Sequence, residues 1–167
     1  MSKTLILTAL QIEQRITRIA WQIYEDNAEE KNIIIAGIAN SGYILAQRIT
    51  EKLKEISPIK PILIKVKLDK ENPLSGNVKI EGEAQNFDNK VVILVDDVLN
   101  SGKTLMYGMK PFLEADVRKI STAVLVDRNH NRFPVATDYT GISLSTTLQE
   151  HISVEIDKLK KEGVYLI

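Results

Sequence analysis

The chain has 167 residues, balances 22 Lys and Arg against 22 Asp and Glu, and contains no cysteine. That length suits a single domain with its own core, while the missing cysteines exclude disulfides, thiolate zinc sites and a cysteine nucleophile. Zero net charge argues against general polyanion affinity, and no apolar run approaches the ~20 residues that cross a bilayer.

In chain order, Met1 to Thr8 holds too short an apolar stretch for a secretory signal, so a cytoplasmic protein is expected. Thr8-Ala9-Leu10-Gln11 reads as a capping box. Behind it Ile12, Ile16, Ile19 and Ile23 mark one face of a helix running to about Glu29. Ile33 to Ala36 is an apolar run ending at Gly37, as in a strand covered on both faces. The loop 37–42 leads into a helix with Ile44, Leu45, Ile49, Leu53 and Ile56 inward, stopped by Pro58 and Pro61. Ile62 to Val66 reads as a strand, residues 68–77 as a mobile polar loop, and Val78 to Glu81 as an exposed strand. Val91 to Val95 is the strongest buried-strand signal. A helix from about Gly102 and a strand at Thr122 to Val126 follow, with Gly108 and Pro111 predicting a kink or early stop in that helix. Buried strands alternating with amphipathic helices predict an α/β fold, a doubly wound, central parallel sheet flanked by helices. Ligands of such sheets bind beyond the carboxyl ends of the strands, here the loops 37–42, 96–104 and 127–133.

The richest segment runs from Val91 to Thr104. Asp96 and Asp97 close a buried strand, and Asn100-Ser101-Gly102-Lys103-Thr104 turns into a helix. Amides at such a turn, with hydroxyls beside them, cradle a phosphate, and the nearby carboxylates accept hydrogen bonds from sugar hydroxyls. The pair asks for a ligand carrying a phosphate next to a ribose. A Walker A loop is excluded, because the glycine it needs five positions before Gly102 is Asp97. A receiver domain is disfavoured because its acids follow the first strand. Simple capping by Asp96, Asp97, Ser101 or Thr104 is the bland alternative.

This segment resembles the motif of the type I phosphoribosyltransferases that binds 5-phosphoribosyl 1-diphosphate (PRPP). The resemblance extends to the PyrR family, pyrimidine operon attenuators with uracil phosphoribosyltransferase activity. It rests also on Arg15 to Ala20, Ala36 to Ile38, Gly42 to Arg48 and Ala123 to His130, and on Pro134 and Ala136 to Gly141, and covers about residues 8 to 156. It implies the type I phosphoribosyltransferase fold in one domain over residues 1–167, with a small hood that the chain ends help form. The implied activity, a step of nucleotide metabolism and pyrimidine salvage, is transfer of phosphoribose from PRPP to a nucleobase, uracil first, with release of pyrophosphate and with magnesium (Mg2+) carried by PRPP rather than by a protein metal site. On the same footing Asp96 and Asp97 hold the ribose hydroxyls, and Asn100, Ser101, Gly102, Lys103 and Thr104 hold the 5′-phosphate. Ala39, Asn40, Ser41 and Gly42 face the pyrophosphate, Val126, Asp127 and Arg128 lie beside the base, and loop 68–77 closes as a lid. A homodimer is implied, with the apolar face of the first helix and Trp21 as its candidate contact.

Departures from the family pattern are informative. The pyrophosphate loop lacks the usual Lys or Arg. The lid has Lys67 and Lys70 in place of a Tyr-Arg pair, leaving lysine charge without a bidentate clamp. Purine enzymes of the hypoxanthine–guanine kind place an aspartate where Asn100 stands, and asparagine is no general base, which favours a pyrimidine. On the face that PyrR proteins use for RNA, Thr17 and Arg18 remain, but Trp21 and Asp26 replace a histidine and an arginine. Two other readings therefore accompany the enzyme: an RNA-binding regulator, and a PRPP- or nucleotide-binding protein without turnover. His130 either touches ligand or bonds its neighbours, and His151 is expected at the surface.

Overall fold

A computed structural model of the protein describes residues 3–84, 86–157 and 161–167. The span 1–167 expected for the domain also takes in Met1, Ser2, Gln85 and residues 158–160, which lie outside the described residues. Nine strands and four helices follow in the order β1(Thr4–Thr8), α1(Ala9–Asp26), β2(Asn32–Ile38), α2(Ser41–Ile56), β3(Lys60–Lys67), β4(Lys79–Glu81), β5(Val91–Leu99), α3(Lys103–Gly108), α4(Lys110–Leu113), β6(Lys119–Asp127), β7(Tyr139–Ser143), β8(Ile152–Glu155) and β9(Gly163–Leu166) among the described residues.

The main sheet has the order β4-β3-β2-β5-β6-β7. From β3 to β7 all neighbours are parallel, and only β4 runs antiparallel to β3. Alternation along the buried strands divides the core in two. Ile33, Ile35, Ile93 and Val95 pack with Ile12, Ile16, Ile19, Leu45 and Ile49 of α1 and α2. Ile34, Ala36, Val92 and Leu94 pack with Leu105 and Phe112 of α3 and α4. Period-2 side chains on a strand covered on both sides need this division, so the apolar runs are continuous rather than alternating.

Local chemistry sets the element ends. The Thr8 side chain accepts from the Gln11 amide and Gln11 reaches back to the Thr8 amide, the predicted capping box. The helix stops at Asp26, three residues before the expected Glu29. Pro61 lies inside β3 rather than before it, at a position that β4, paired only at Lys65 to Lys67, leaves uncovered. The predicted break after the phosphate turn falls at Met109, and Pro111 is accommodated at the start of α4.

Two loops are shorter than expected. Gly37 and Ile38 belong to β2, and β5 continues past Val95 to Leu99. Asp96 and Asp97 thus stand within a strand, whose ladder to β6 carries on through Val98 opposite Val126 and Leu99 opposite Asp127. Pairing with a neighbour overrides the low strand preference of aspartate. A second, three-stranded sheet, β1-β9-β8, is antiparallel and joins the two ends of the described chain. Its Leu7 and Val164, with Ile156 just after β8, merge into the core on the α1 and α2 side.

Candidate active site

The order of the sheet reverses between β2 and β5: from β2 the chain moves outward to β3, from β5 the opposite way to β6 and β7. Such a switch point leaves a crevice at the strand ends. A cavity of about 350 Å³ opens there, lined by Lys70, Glu71, the run Asp96 to Leu105, and Ile152.

Asp96 is 2% exposed. Its Oδ1 accepts from the Asp97 amide at 3.0 Å and from Lys70 Nζ at 2.9 Å, and Lys70 also lies 3.8 Å from Asp97 Oδ1. Burial, with the Asp97 charge adding to it, pushes the Asp96 carboxyl up to about 7 against the pull of Lys70. Burial works to lower the Lys70 ammonium, but the two carboxylates together outweigh it and hold its pKa above the ordinary lysine value. Lys67, at the end of β3, is paired instead with Glu81 of β4. Loop 68–77 is organised around Asp69, whose carboxylate accepts from the amides of Asn72 and Glu71 and from the Ser75 hydroxyl; those bonds hold it below the usual carboxylate range.

The turn after β5 is built for close approach. Gly102 has φ +86°, a left-handed conformation that glycine adopts without penalty. Ser101 Oγ accepts from the Lys103 amide, and its carbonyl accepts from the amides of Arg132 and Phe133, tying the turn to the loop after β6. Gly42 opens α2 against the acids: a Cβ there would lie 2.9 Å from Asp96 Cα, Asp96 Oδ1 and the Val95 carbonyl. Only a hydrogen fits. The structure thus brings Gly42 to the acid pair, while Ala39, Asn40 and Ser41 stand at the end of the neighbouring strand, outside the cavity lining. The Ala39 amide donates to the Val66 carbonyl, and the Asn40 carbonyl accepts from Tyr43 and Ile44.

The residues expected beside a base are placed differently from one another. Val126 is fully buried in the core. Asp127 accepts from the Asn129 amide. Arg128, 7% exposed, donates to Asn100 Oδ1, Thr146 Oγ1 and the carbonyls of Thr147 and Glu150, which uses four of its five N–H groups. Arg128 therefore braces the wall of the site. Ile152, which sequence reasoning passed over, is brought in by the hood strand β8 as an apolar group over a polar cavity. An isolated isoleucine near the chain end carries no signal of this.

His130 Nε2 meets the Thr146 carbonyl, and His151 is exposed. Arg18 donates to the carbonyls of Thr140 and Gly141, Thr17 bonds the Glu13 carbonyl, and Asp26 accepts from the Tyr139 hydroxyl, whose pKa burial and that carboxylate raise. The apolar face of α1 is spent on the core, whereas Trp21 lies across from it, 45% exposed, as does Leu10, 68% exposed about three turns away. Among the described residues no cluster of three or more His, Asp or Glu could hold a metal ion, and no helix is long and apolar enough to cross a membrane.

Acids inside a central strand, a phosphate-type turn after them and a hood above define a phosphoribosyltransferase. Residues 3–158 match the phosphoribosyl transferase domain family, and the chain belongs to it. The particular relatives are PyrR proteins. The chain is 34% identical over 169 residues to the bifunctional protein PyrR of Enterococcus faecalis, covering 95% of this chain and 92% of the relative. It is 35% identical to that of Fusobacterium nucleatum, covering 93% of each. Among solved structures, the hypoxanthine phosphoribosyltransferase of Trypanosoma cruzi superposes with a TM-score of 0.78 at 14% identity, covering 98% of this chain and 95% of that one. A hypoxanthine-guanine phosphoribosyltransferase of Bacillus anthracis gives 0.74 at 19%, covering 98% and 97%. These likenesses show the fold.

Proposed function

We propose that the protein transfers the phosphoribosyl group of PRPP to a pyrimidine, uracil first, with release of pyrophosphate. The observation that carries this is the shared cavity, in which the buried Asp96, the half-buried Asp97, a glycine-hinged turn and one apolar hood residue converge. In this reading Asp96 and Asp97 accept from the ribose hydroxyls, and Asn100 to Thr104 surround the 5′-phosphate. Gly42 and the start of α2 stand on the pyrophosphate side, with Lys70 as the lid cation. As the bond from C1′ to pyrophosphate breaks and a ring nitrogen attacks, positive charge grows on the ribose, and carboxylates held nearby stabilise it. Carboxylate oxygens suit magnesium, a hard cation, and magnesium brought by PRPP would neutralise the leaving pyrophosphate. We place this activity in the cytoplasm and in a homodimer, with the exposed Leu10 and Trp21 side of α1 as the contact.

The test is pyrophosphate release from PRPP and magnesium with uracil, orotate, hypoxanthine, guanine and adenine supplied separately. Uracil-dependent release is expected. Asp96→Asn combined with Asp97→Asn abolishes PRPP binding while the circular dichroism spectrum stays unchanged, and retained binding would refute the site. A second reading, binding without turnover, draws on Lys70: the one lid cation at the cavity is already bonded to Asp96, and Ala39 to Gly42 supply no cation of their own. Silence with all five bases in protein that binds PRPP selects it. RNA binding is not proposed, because Arg18 is committed to β7 and Asp26 adds negative charge to that face.

A further inference from the structure

We propose that Lys70 makes the site select a ligand that carries pyrophosphate: its ammonium holds the carboxylates that the ribose hydroxyls must reach, and a ligand gains them only by giving Lys70 anionic oxygens in exchange. This rests on the phosphoribosyl-transfer reading above and deepens it.

The geometry sets two claims on one pair of acids. Lys70 Nζ donates to Asp96 Oδ1 at 2.9 Å and lies 3.8 Å from Asp97 Oδ1. The Asp96 side chain is 4% exposed and that of Lys70 38%, so the ammonium reaches inward from a loop to a group that water scarcely touches. The loop steadies it there. The Asp69 carboxylate gathers the amides of Glu71 and Asn72 and the Ser75 hydroxyl, which fixes the backbone on either side of Lys70.

Sugar hydroxyls can replace the hydrogen bond that Lys70 makes, but not its charge. A ligand with only a ribose and one phosphate therefore leaves a buried carboxylate without its cation and an ammonium without its acceptor, and both cost free energy. Pyrophosphate changes the balance because it can take the ammonium. Gly42, at the start of α2, abuts the very oxygen that Lys70 bonds: a Cβ there would lie 2.9 Å from Asp96 Oδ1. The pyrophosphate side is thus next to the ammonium, and Ala39 to Gly42 bring no cation of their own. Among the described residues the lysines lining the cavity are Lys70 and Lys103, and Lys103 opens α3 on the phosphate turn. Lys65 is held over the ring of Tyr43, outside the cavity lining. Lys70 is therefore the lysine placed to pass from the acids to the pyrophosphate by a swing of its stem.

Ribose 5-phosphate, which has the ribose and the 5′-phosphate but no pyrophosphate, separates the two partners of Lys70. Titration calorimetry compares it with PRPP at constant magnesium and pH 8.5, where Asp96 is ionised in the wild type. In Lys70→Met, ribose 5-phosphate is expected to bind about 3- to 10-fold more tightly and PRPP about 3- to 10-fold more weakly, the size of one partly exposed charged hydrogen bond. Movement in opposite directions is the signature, since simple loss of a positive charge would weaken both anions. Lys70→Gln, which keeps a donor without the charge and serves if Met disturbs the loop, moves both affinities the same way, and Lys70→Arg keeps the wild-type preference. Ribose 5-phosphate binding that fails to tighten in Lys70→Met, PRPP binding that fails to weaken, or wild-type protein that binds neither ligand would each overturn the proposal. Pyrophosphate release is followed in parallel. Opposite shifts without release under any base defeat the transfer reading and keep this one, and release with parallel shifts does the reverse.

Discussion

Asp96 keeps a carboxyl where water scarcely reaches, and its proton is the residue-scale signature of the site. The native protein holds that proton up to about pH 7, while the unfolded chain loses it near the ordinary aspartate value of 3.8. Between these values the native state binds more protons, so this group's contribution to stability falls as pH rises and is fully lost above the upper value. Asp96→Asn removes the dependence. Its stability relative to wild type should climb from pH 4 to pH 7.5 by about 4 kcal/mol in denaturant titrations, and a difference independent of pH would contradict the buried, raised carboxyl. The acids and the phosphate turn were legible because they are contiguous in the chain. The bond of Lys70 to Asp96 and the brace from Arg128 to Asn100 join residues 26 and 28 positions apart, and no local pattern announces which lysine or which amide is chosen.

Among the elements, helices that begin with a chemical signal read most clearly. The Thr8 capping box was visible as four letters, and Thr8→Ala should cost about 1 kcal/mol in chemical denaturation without altering PRPP affinity. Gly42→Ala is different in kind. Its methyl would press on both backbone and side chain of β5, which cannot move aside cheaply. A loss of about 1–3 kcal/mol together with weakened PRPP binding is expected, read by thermal unfolding and calorimetry. The four residues by which β5 outruns its apolar stretch escaped sequence reading, because strand pairing rather than composition carries Asp96 to Leu99. Gly42 likewise reads as one more loop glycine until the strand opposite it is known.

At the scale of the whole molecule, the parallel sheet was foreshadowed by alternating apolar runs and helical periodicity. The hood was not visible in pattern: β1 and β9 pair across almost the entire chain, and each is only four or five residues long. Short strands at the margin of a core open more readily than central ones. Hydrogen exchange should therefore be slowest in β2, β5 and β6, faster in the hood and fastest in residues 68–77. Added PRPP should slow exchange at 68–77 and 100–104 far more than in the central strands, and uniform slowing would indicate general tightening instead. The tight seating of Gly42 on Asp96 has a mechanical consequence. With no slack between the start of α2 and the strand bearing the acids, these two walls travel as one rigid frame, and whatever shutting accompanies ligand capture must be hung from the outer pieces, the Lys70 loop on one side and the Ile152 sheet on the other.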